Sequence, residues 1–318
     1  MKRRFLLFTT LFFMALSILL GVLYYQSSTK NESTKYPHLA KRLFLEDPND
    51  VLINLEPLRQ NVRKYLTDTG LTYSFYFEYL FTGSNIRAGD SNKLVGASLM
   101  KIPVVMDLYK AAEQNKIDIN KKVTVDKESV NNDTEFGNQQ HLKPGDQISL
   151  RDAARIALTE SDNTAAYIVF QATQHLLAPE DQAINNLDVE TQIGESDKGK
   201  YALIGARSYS SFLKCLYYSC FLSRDHSEQI LSDLSKTTDT TRIRAGVSKD
   251  TEVIHKIGSF SNVTQSDCGI VYLTNRRYIL CIMLDTDAQT ANKHIQKIAE
   301  MTNDYVAKAN LTTRQPNN

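Results

Sequence analysis

Two separate groups of strand-like segments, with a long helical region between them, constrain the fold of this chain more than any other feature. Residues 71–79 alternate apolar with polar side chains, and a short second strand begins at Ile86. The second group comprises residues 253–257, 268–274 and 278–284. The region from 117 to 205 is predicted to be mainly helical with polar loops, and other helices are predicted at residues 54–69, 98–112, 206–221, 227–235 and from Asp287. This order of segments favours the α+β class.

The start of the chain has the pattern of a membrane segment. Lys2, Arg3 and Arg4 precede residues 5–25, an uncharged apolar run long enough to cross a bilayer. Basic residues ahead of such a run favour a cytoplasmic N-terminus and an exported remainder. A cleaved signal peptide and a retained anchor both fit, and we favour the anchor, because apolar residues continue after the weak cleavage match at residues 15–17. The predicted organisation is a single-pass anchor (1–25), a tether (26–50) and an extracytoplasmic domain (51–310).

Composition limits the classes of partner. The chain has 37 basic and 36 acidic residues and a formal net charge of +1, so it lacks the basic excess of a nucleic-acid-binding protein. No group of cysteines and histidines has metal-ligand spacing, and no metal or cofactor is expected. A monomer is expected.

The redox state of the four cysteines is left open, because an exported chain could oxidise them. Cys215 and Cys220 lie five residues apart in a predicted helix, about 140° apart around its axis, where they cannot easily bridge each other. Cys268 and Cys281 fall within apolar strand patterns, where a buried free thiol is the expected form.

A serine and a lysine three residues apart form a candidate catalytic pair. Residues 96–101 read Gly-Ala-Ser-Leu-Met-Lys, and a helix that begins near Ser98 places its hydroxyl on the same face as Lys101. Pro103 fits this start, because only the first turn of a helix tolerates proline. A serine hydroxyl needs such a neighbouring base to act as a nucleophile. The pattern alone is weak, because it recurs at residues 27–30 and 211–214.

Two further motifs follow it in order. Residues 161–163 read Ser-Asp-Asn, and residues 256–258 read Lys-Ile-Gly after an apolar strand. Ser-x-x-Lys, Ser-Asp-Asn and Lys-Thr-Gly in this order are the motifs of class A β-lactamases and penicillin-binding proteins, and only Ile257 departs from them. The chain therefore resembles the class A β-lactamase-like serine hydrolases, over roughly residues 50–310.

The resemblance implies a fold and a mechanism. The fold is an antiparallel sheet flanked by terminal helices with an inserted helical lobe, and the active site lies between sheet and lobe. Ser98 would attack an amide carbonyl and form an acyl-enzyme, with Lys101 helping to remove its proton. Ser161 would pass a proton to the leaving nitrogen. Asp162 is assigned a structural role, because all three residue types of its motif favour helix caps.

The resemblance also implies a set of substrate-binding residues: Asn163, Lys256, Gly258, Ser259 and Arg242. Asn163 would bond the substrate's side-chain amide, and Lys256 would hold Ser161 and the substrate carboxylate. Gly258 would let a substrate backbone approach closely. Backbone N–H groups of Ser98 and Ser259 would form the oxyanion hole.

Three positions near the third motif carry more open predictions. Ile257 replaces a family Thr or Ser and loses one hydroxyl contact to the carboxylate, part of which Ser259 could supply. Arg242 lies where some members place an arginine that reaches the carboxylate, and a solvated surface charge is an equal alternative. His255 is predicted to be a strand residue rather than a catalyst.

The substrate is left open by the motifs. β-Lactams or D-Ala-D-Ala-type peptides of the peptidoglycan stem are the expected acyl donors. A cell-wall D,D-peptidase is the alternative enzyme. A catalytically silent envelope-binding or penicillin-sensing domain is the alternative of another class.

The glutamate that activates the deacylating water in class A β-lactamases has no clear counterpart here. The family carries it in a Glu-x-x-Leu-Asn pattern after the Ser-Asp-Asn motif. Residues 174–205 offer Glu180, Glu190 and Glu195, and Glu190 is the nearest match, with Ile for Leu and Gly for Asn. We interpret Glu190 as a solvated loop carboxylate and predict rapid acylation followed by slow release.

Overall fold

A computed structural model of the chain describes residues 13–24, 54–130, 142–196 and 199–308. Helix α1 (Glu56–Asp68) precedes strands β1 (Tyr73–Tyr79), β2 (Asn85–Ala88) and β3 (Leu94–Val95), and a 3₁₀ turn (Ala97–Met100) leads into α2 (Lys101–Glu113). The lobe follows, with β4 (Lys122–Thr124), β5 (Gln147–Ser149), α3 (Leu150–Thr159), α4 (Asn163–Thr173), α5 (Ala183–Asn186), β6 (Thr191–Ser196), β7 (Gly199–Ile204), α6 (Ala206–Tyr218) and α7 (Arg224–Leu234). The chain then forms α8 (Arg242–Ala245), β8 (Val253–Phe260), β9 (Thr264–Val271), β10 (Tyr278–Asp285) and α9 (Ala288–Lys308).

The main sheet joins the two predicted groups of strands. Its five strands lie in the order β2-β1-β10-β9-β8 and are antiparallel. β1, the first strand of the first group, pairs with β10, the last strand of the second group. The lobe is therefore an insertion between the two groups of strands. The α+β prediction is confirmed, and so is the expected antiparallel sheet with flanking terminal helices and an inserted helical lobe. β8 is an edge strand, and one row of its backbone N–H and C=O groups faces away from the sheet.

Apolar side chains cover both faces of this sheet. Alternate residues of β10 point to opposite faces: Ile279, Cys281 and Met283 pack towards the lobe, whereas Leu280 and Ile282 pack towards α1 and α9. This explains why residues 278–284 form a continuous apolar run. Two cores result, and the lobe-side core reaches the segment that carries the first motif.

Two hairpins correct the prediction of a mainly helical region from 117 to 205. β4 pairs with β5, and β6 pairs with β7, whose other neighbour is β3. Gly199 supports the β6–β7 turn with a φ of +110°, which favours glycine. β7 gains its second partner from a segment about one hundred residues away along the chain, which periodicity within a short window cannot reveal.

Both cysteine pairs form disulfides, which corrects two expectations: that Cys215 and Cys220 cannot easily bridge, and that Cys268 and Cys281 are buried free thiols. Helix α6 ends at Tyr218, and Ser219 adopts a left-handed conformation that turns Cys220 back towards Cys215, with a Cα–Cα distance of 5.0 Å. Cys268 and Cys281 are directly opposite in the β9–β10 register, 3.9 Å apart at Cα. The helical geometry that argued against the first bridge therefore ends before its second cysteine. Disulfides are typical of exported proteins.

Part of the predicted anchor lies outside the described residues. Residues 13–24 form a helix with exposed side chains. In the described parts of the chain, no helix combines the length and the apolar character needed to cross a bilayer. The remaining anchor residues and the tether at 26–50 lie outside these parts, and membrane attachment stays a prediction.

Candidate active site

Ser98 lies in the 3₁₀ turn between β3 and α2. The Gly96 N–H donates to the Ala202 carbonyl of β7 at 2.8 Å, which ties the start of this turn to the β6–β7 hairpin. Ala97 has a φ of +45°, a sparsely populated conformation for a residue with a side chain. Ser98 itself is half-buried. Backbone strain next to a nucleophile persists only where the surrounding structure holds it.

Lys101 is the first residue of α2 and points towards the second motif. Its side chain is only 7% exposed. Its Nζ donates to Asn163 Oδ1 at 2.6 Å, to Ser161 Oγ at 3.3 Å and to the Ser161 carbonyl oxygen. Lys101, which directly follows the Ser98 turn, thus reaches both polar side chains that flank Asp162.

The second motif lies in the tight connection from α3 to α4. Ser161 has a φ of +59°, and Asp162 caps α4 by accepting the Ala165 N–H at 2.7 Å. Asp162 is fully buried, and the structural role predicted for it is observed. This cap fixes the positions of Ser161 and Asn163, because any movement of the first turn of α4 would break the hydrogen bond between Asp162 and Ala165.

Lys256 approaches the same serine from the sheet. Its side chain is 1% exposed, and its Nζ donates to Ser161 Oγ at 2.7 Å and to the Ile257 carbonyl at 3.3 Å. Burial lowers the pKa of Lys256 to about 8, against the opposing effect of Asp267 and Asp239. The Ser161 hydroxyl therefore lies between the side-chain nitrogens of two lysines, one from each side of the cleft.

Gly258 brings β8 against the Ser98 turn. A Cβ at this position would lie 3.0 Å from Leu99 Cγ, 3.1 Å from the Gly96 carbonyl oxygen and 2.5 Å from Ser266 Oγ. A side chain there would push the edge strand away from the serine. Glycine at position 258 is therefore required by the packing of β8 against the Ser98 turn, and not only by the predicted approach of a substrate backbone.

Arg242 is neither solvated nor directed at open space. It is 4% exposed, so the prediction of a solvated surface charge is wrong. All five of its N–H groups donate to protein acceptors: Asn292 Oδ1, the Gly258 and Ser266 carbonyls, Ser259 Oγ and Gln265 Oε1. This guanidinium clamps the end of β8 to β9 and to α9, and its donors are taken by the protein rather than left for a carboxylate.

His255 is a buried strand residue, as predicted, but it has a charged partner. Its Nδ1 lies 2.9 Å from Asp267 Oδ1, and Asp267 Oδ2 also accepts the Ile243 N–H at 3.0 Å. Burial disfavours a charge on His255, but the adjacent Asp267 outweighs it and raises the pKa of His255. Asp267 thus joins α8, β8 and β9 beneath Lys256.

Asp267 is a residue that sequence reasoning missed. It is fully buried, and its negative charge acts on Lys256, Arg242 and His255. The predicted strand begins at residue 268 and does not include Asp267. A carboxylate directly before an apolar strand was the only available signal.

Glu190 lies at the base of the β6–β7 hairpin rather than in a long loop. Its side chain is 75% exposed and forms an ion pair with Lys93, before β3. Glu195 lies within β6, and Glu180 lies in a 3₁₀ turn before α5. The segment after the Ser-Asp-Asn motif therefore folds into a hairpin that supports the Ser98 turn through Ala202.

Comparison with known proteins identifies the relatives of this site. The model of the beta-lactamase enzyme family Beta-lactamase2 matches residues 57–306. Beta-lactamase 1 of Bacillus cereus is 28% identical over 204 residues, which are 60% of this chain and 64% of that protein. The beta-lactamase regulatory protein BlaB of Streptomyces cacaoi is 25% identical over 122 residues, 38% of this chain and 39% of that protein. The chain thus spans less than two thirds of the length of either relative.

A solved structure confirms the fold. The acyl-enzyme complex of a PBP-A mutant with penicillin G superposes with a TM-score of 0.71 at 22% identity, covering 80% of this chain and 97% of that one. At this level of identity the likeness shows a common fold.

Proposed function

The chain belongs to the beta-lactamase enzyme family, and from that premise we propose that it is a membrane-anchored, extracytoplasmic serine hydrolase acylated at Ser98 by β-lactams or by D-Ala-D-Ala-type peptides. The observation that supports this most directly is the position of Ser161 Oγ, 2.7 Å from Lys256 Nζ and 3.3 Å from Lys101 Nζ. Residues from three distant motifs converge on one hydroxyl beside the Ser98 turn. If Lys256 were a solvated side chain and Ser161 only part of a helix cap, this hydrogen bond between them would not be expected.

Acylation starts with removal of the Ser98 proton. Lys101 is the nearest base in sequence, and its largely buried side chain contacts the Ser161 hydroxyl. The Ser98 Oγ forms a bond to the carbonyl carbon, and the carbonyl oxygen becomes an oxyanion. Backbone N–H groups of Ser98 and of Ser259, on the edge strand β8, stabilise that charge.

Collapse of this intermediate breaks the C–N bond. The leaving nitrogen takes a proton through the Ser161 hydroxyl, and the proton lost by Ser98 replaces it by way of Lys101. Lys256 orients the Ser161 hydroxyl with its 2.7 Å hydrogen bond. Asn163, held by Lys101, binds the amide of the substrate's acyl side chain.

Slow release of the acyl group is the second part of the proposal. Glu190 is exposed and paired with Lys93, which leaves it unsuited to hold a water against an acylated Ser98. Without a positioned base, water attack loses the ~10²–10⁴-fold that general-base catalysis supplies. A burst of acylation followed by slow hydrolysis is the kinetic behaviour that we propose.

A fluorescent penicillin tests this function. Full-length protein in detergent should be labelled covalently at Ser98, and Ser98→Ala should not be labelled. Ser91→Ala, which removes an exposed serine of the same connection, serves as the matched control and should be labelled normally. An unlabelled wild type with a cooperative melting transition would refute the acylation.

Two further measurements distinguish the alternatives. Release of D-alanine from a stem peptide would identify a cell-wall D,D-peptidase. Stable labelling with no turnover of any donor would identify a penicillin-sensing domain. BlaB, which is 25% identical over 122 residues, is a beta-lactamase regulatory protein.

A further inference from the structure

The position of a bound acyl donor follows from the proposed roles. Its carbonyl carbon must lie at Ser98, its oxygen between the N–H groups of Ser98 and Ser259, and its leaving nitrogen towards Ser161. The group attached to that nitrogen must then lie along β8, beside Lys256, Ile257 and Ser259. The donors available there decide which chemical group the site accepts.

Ile257 contributes no donor to this part of the cleft. It alternates with Ser259 along β8, so both side chains lie on one face of the strand, and Arg242 lies on that face because its Nη2 contacts Ser259 Oγ at 3.1 Å. Ile257 is partly exposed. An aliphatic side chain at this point offers an apolar surface and cannot pair with an anion.

Arg242 and Ser259 are already committed to the protein. The five N–H groups of Arg242 are used by five acceptors, and one of these acceptors is Ser259 Oγ. Ser259 keeps its single O–H to donate. A bidentate guanidinium contact, which is the strong way to bind a carboxylate, would require the clamp on β8 to open.

Lys256 supplies the remaining positive charge. Its Nζ already donates to Ser161 Oγ and to the Ile257 carbonyl, which leaves one of three N–H groups. On the leaving-group side of the described cleft, one Lys256 N–H and the Ser259 hydroxyl therefore remain for an anion, besides the Ser161 hydroxyl that the proposed proton path uses. These few donors do not compensate for the hydration that a carboxylate loses when it enters this part of the cleft.

Resting on the proposed function, we propose that Ser98 accepts acyl donors whose group beside the scissile C–N bond is neutral, such as an ester or a primary amide, about as readily as donors with a free carboxylate there. The apolar Ile257 surface accommodates the neutral group, and the few donors nearby give the carboxylate little advantage. The substrate class is therefore β-lactam or peptide-like acyl donors that lack a free carboxylate as well as those that carry one.

The chemical step is the same for both kinds of donor. The Ser98 Oγ–C bond forms at the lactam carbonyl, the ring C–N bond breaks, and the nitrogen gains the proton that the serine loses. The ester is not attacked. The protein mass therefore rises by the full mass of the reagent, which distinguishes acylation at the lactam from transfer to the ester carbonyl.

Penicillin G and its methyl ester form the test pair. Second-order rate constants for acylation of wild type, Ile257→Thr and Ile257→Val are measured by intact-protein mass spectrometry. In wild type we expect the acid and the ester to react within about tenfold of each other. Ile257→Thr restores a hydroxyl and should raise the acid-to-ester ratio by about tenfold, the effect of one hydrogen bond to a charged group. Ile257→Val has the shape of Thr without the hydroxyl and should leave the ratio unchanged.

The outcomes separate this inference from the proposed function. Labelling of wild type with an acid preference of about a thousandfold would overturn the inference and leave the acylation intact. An equal rise of both rates in Ile257→Thr, or the same change in Ile257→Val, would also overturn it, because a shape effect would then explain it. Labelling by neither donor would overturn the proposed function and the inference with it.

Discussion

Ser161 Oγ accepts a hydrogen bond from Lys256 Nζ at 2.7 Å, and this contact joins the helical lobe to the edge of the sheet. It is made by a lysine that is 1% exposed, so water does not compete for the ammonium group. The contact also makes the charge of Lys256 part of the proposed proton path. The effect of pH on this contact can therefore be followed through the acylation rate.

The acylation rate is expected to fall as the pH rises through 8. Burial lowers the pKa of Lys256 to about 8, so the ammonium form that orients Ser161 is lost above this value. The rate constant for penicillin acylation, measured from pH 6 to 10, should show a falling limb near pH 8. Lys256→Arg stays charged, and its limb should move to higher pH. A limb at the same pH in Lys256→Arg would assign the titration to another group.

The free energy of unfolding, unlike the acylation rate, should rise between pH 8 and pH 10.5. Unfolded Lys256 titrates near its ordinary value of 10.5, whereas the folded residue titrates near 8. Between these values the unfolded chain binds more protons than the folded chain, so the contribution of Lys256 makes the free energy of unfolding rise with pH. Urea titrations of wild type and Lys256→Met should differ in this slope.

Lys101→Met should slow labelling of Ser98 by at least ~10²-fold, the low end for general-base catalysis. Methionine keeps much of the volume but removes the amine that contacts Ser161 and Asn163. Lys110→Met is the matched control, because Lys110 lies on the same helix and donates to the Phe221 carbonyl instead. Equal rates in wild type and Lys101→Met would show that another group activates the serine.

Glu190→Gln should leave deacylation within about twofold of wild type. The carboxylate is 75% exposed and pairs with Lys93, and an exposed pair of this kind contributes only ~0–1 kcal/mol to stability. Single-turnover release of labelled product gives the rate, with Glu195→Gln as a second hairpin variant. Nitrocefin turnover at ordinary enzyme rates that disappears in Glu190→Gln would make Glu190 the deacylating base.

Arg242→Lys should slow acylation by acid and ester donors alike. The guanidinium holds the Gly258 carbonyl and Ser259 Oγ, so its loss displaces the strand that carries the oxyanion donor. It should also lower the free energy of unfolding by about 1–3 kcal/mol, the cost of leaving a buried polar group unsatisfied. Arg244→Lys, on the same short helix, should change stability without changing either rate, because Arg244 donates to carbonyls of residues 247, 248 and 251. A loss confined to the acid donor would instead show that Arg242 binds the carboxylate.

The local pattern of the sequence was sufficient for the main elements that hold the motifs. A continuous apolar run predicted β10, because both faces of this strand are buried. The order of three short motifs indicated the family and its fold. These features depend on neighbours within a few residues, so a linear pattern records them.

The tertiary structure decided what each charged group does. Arg242, Asp267 and Lys256 are far from ordinary surface charges only because α8, β8 and β9 pack around them, and each partner comes from a different segment. The disulfides depend in the same way on where a helix ends and on which strand residues are opposite. Burial and long-range pairing set these properties, because a charge or a thiol acquires its partner only when distant parts of the chain meet.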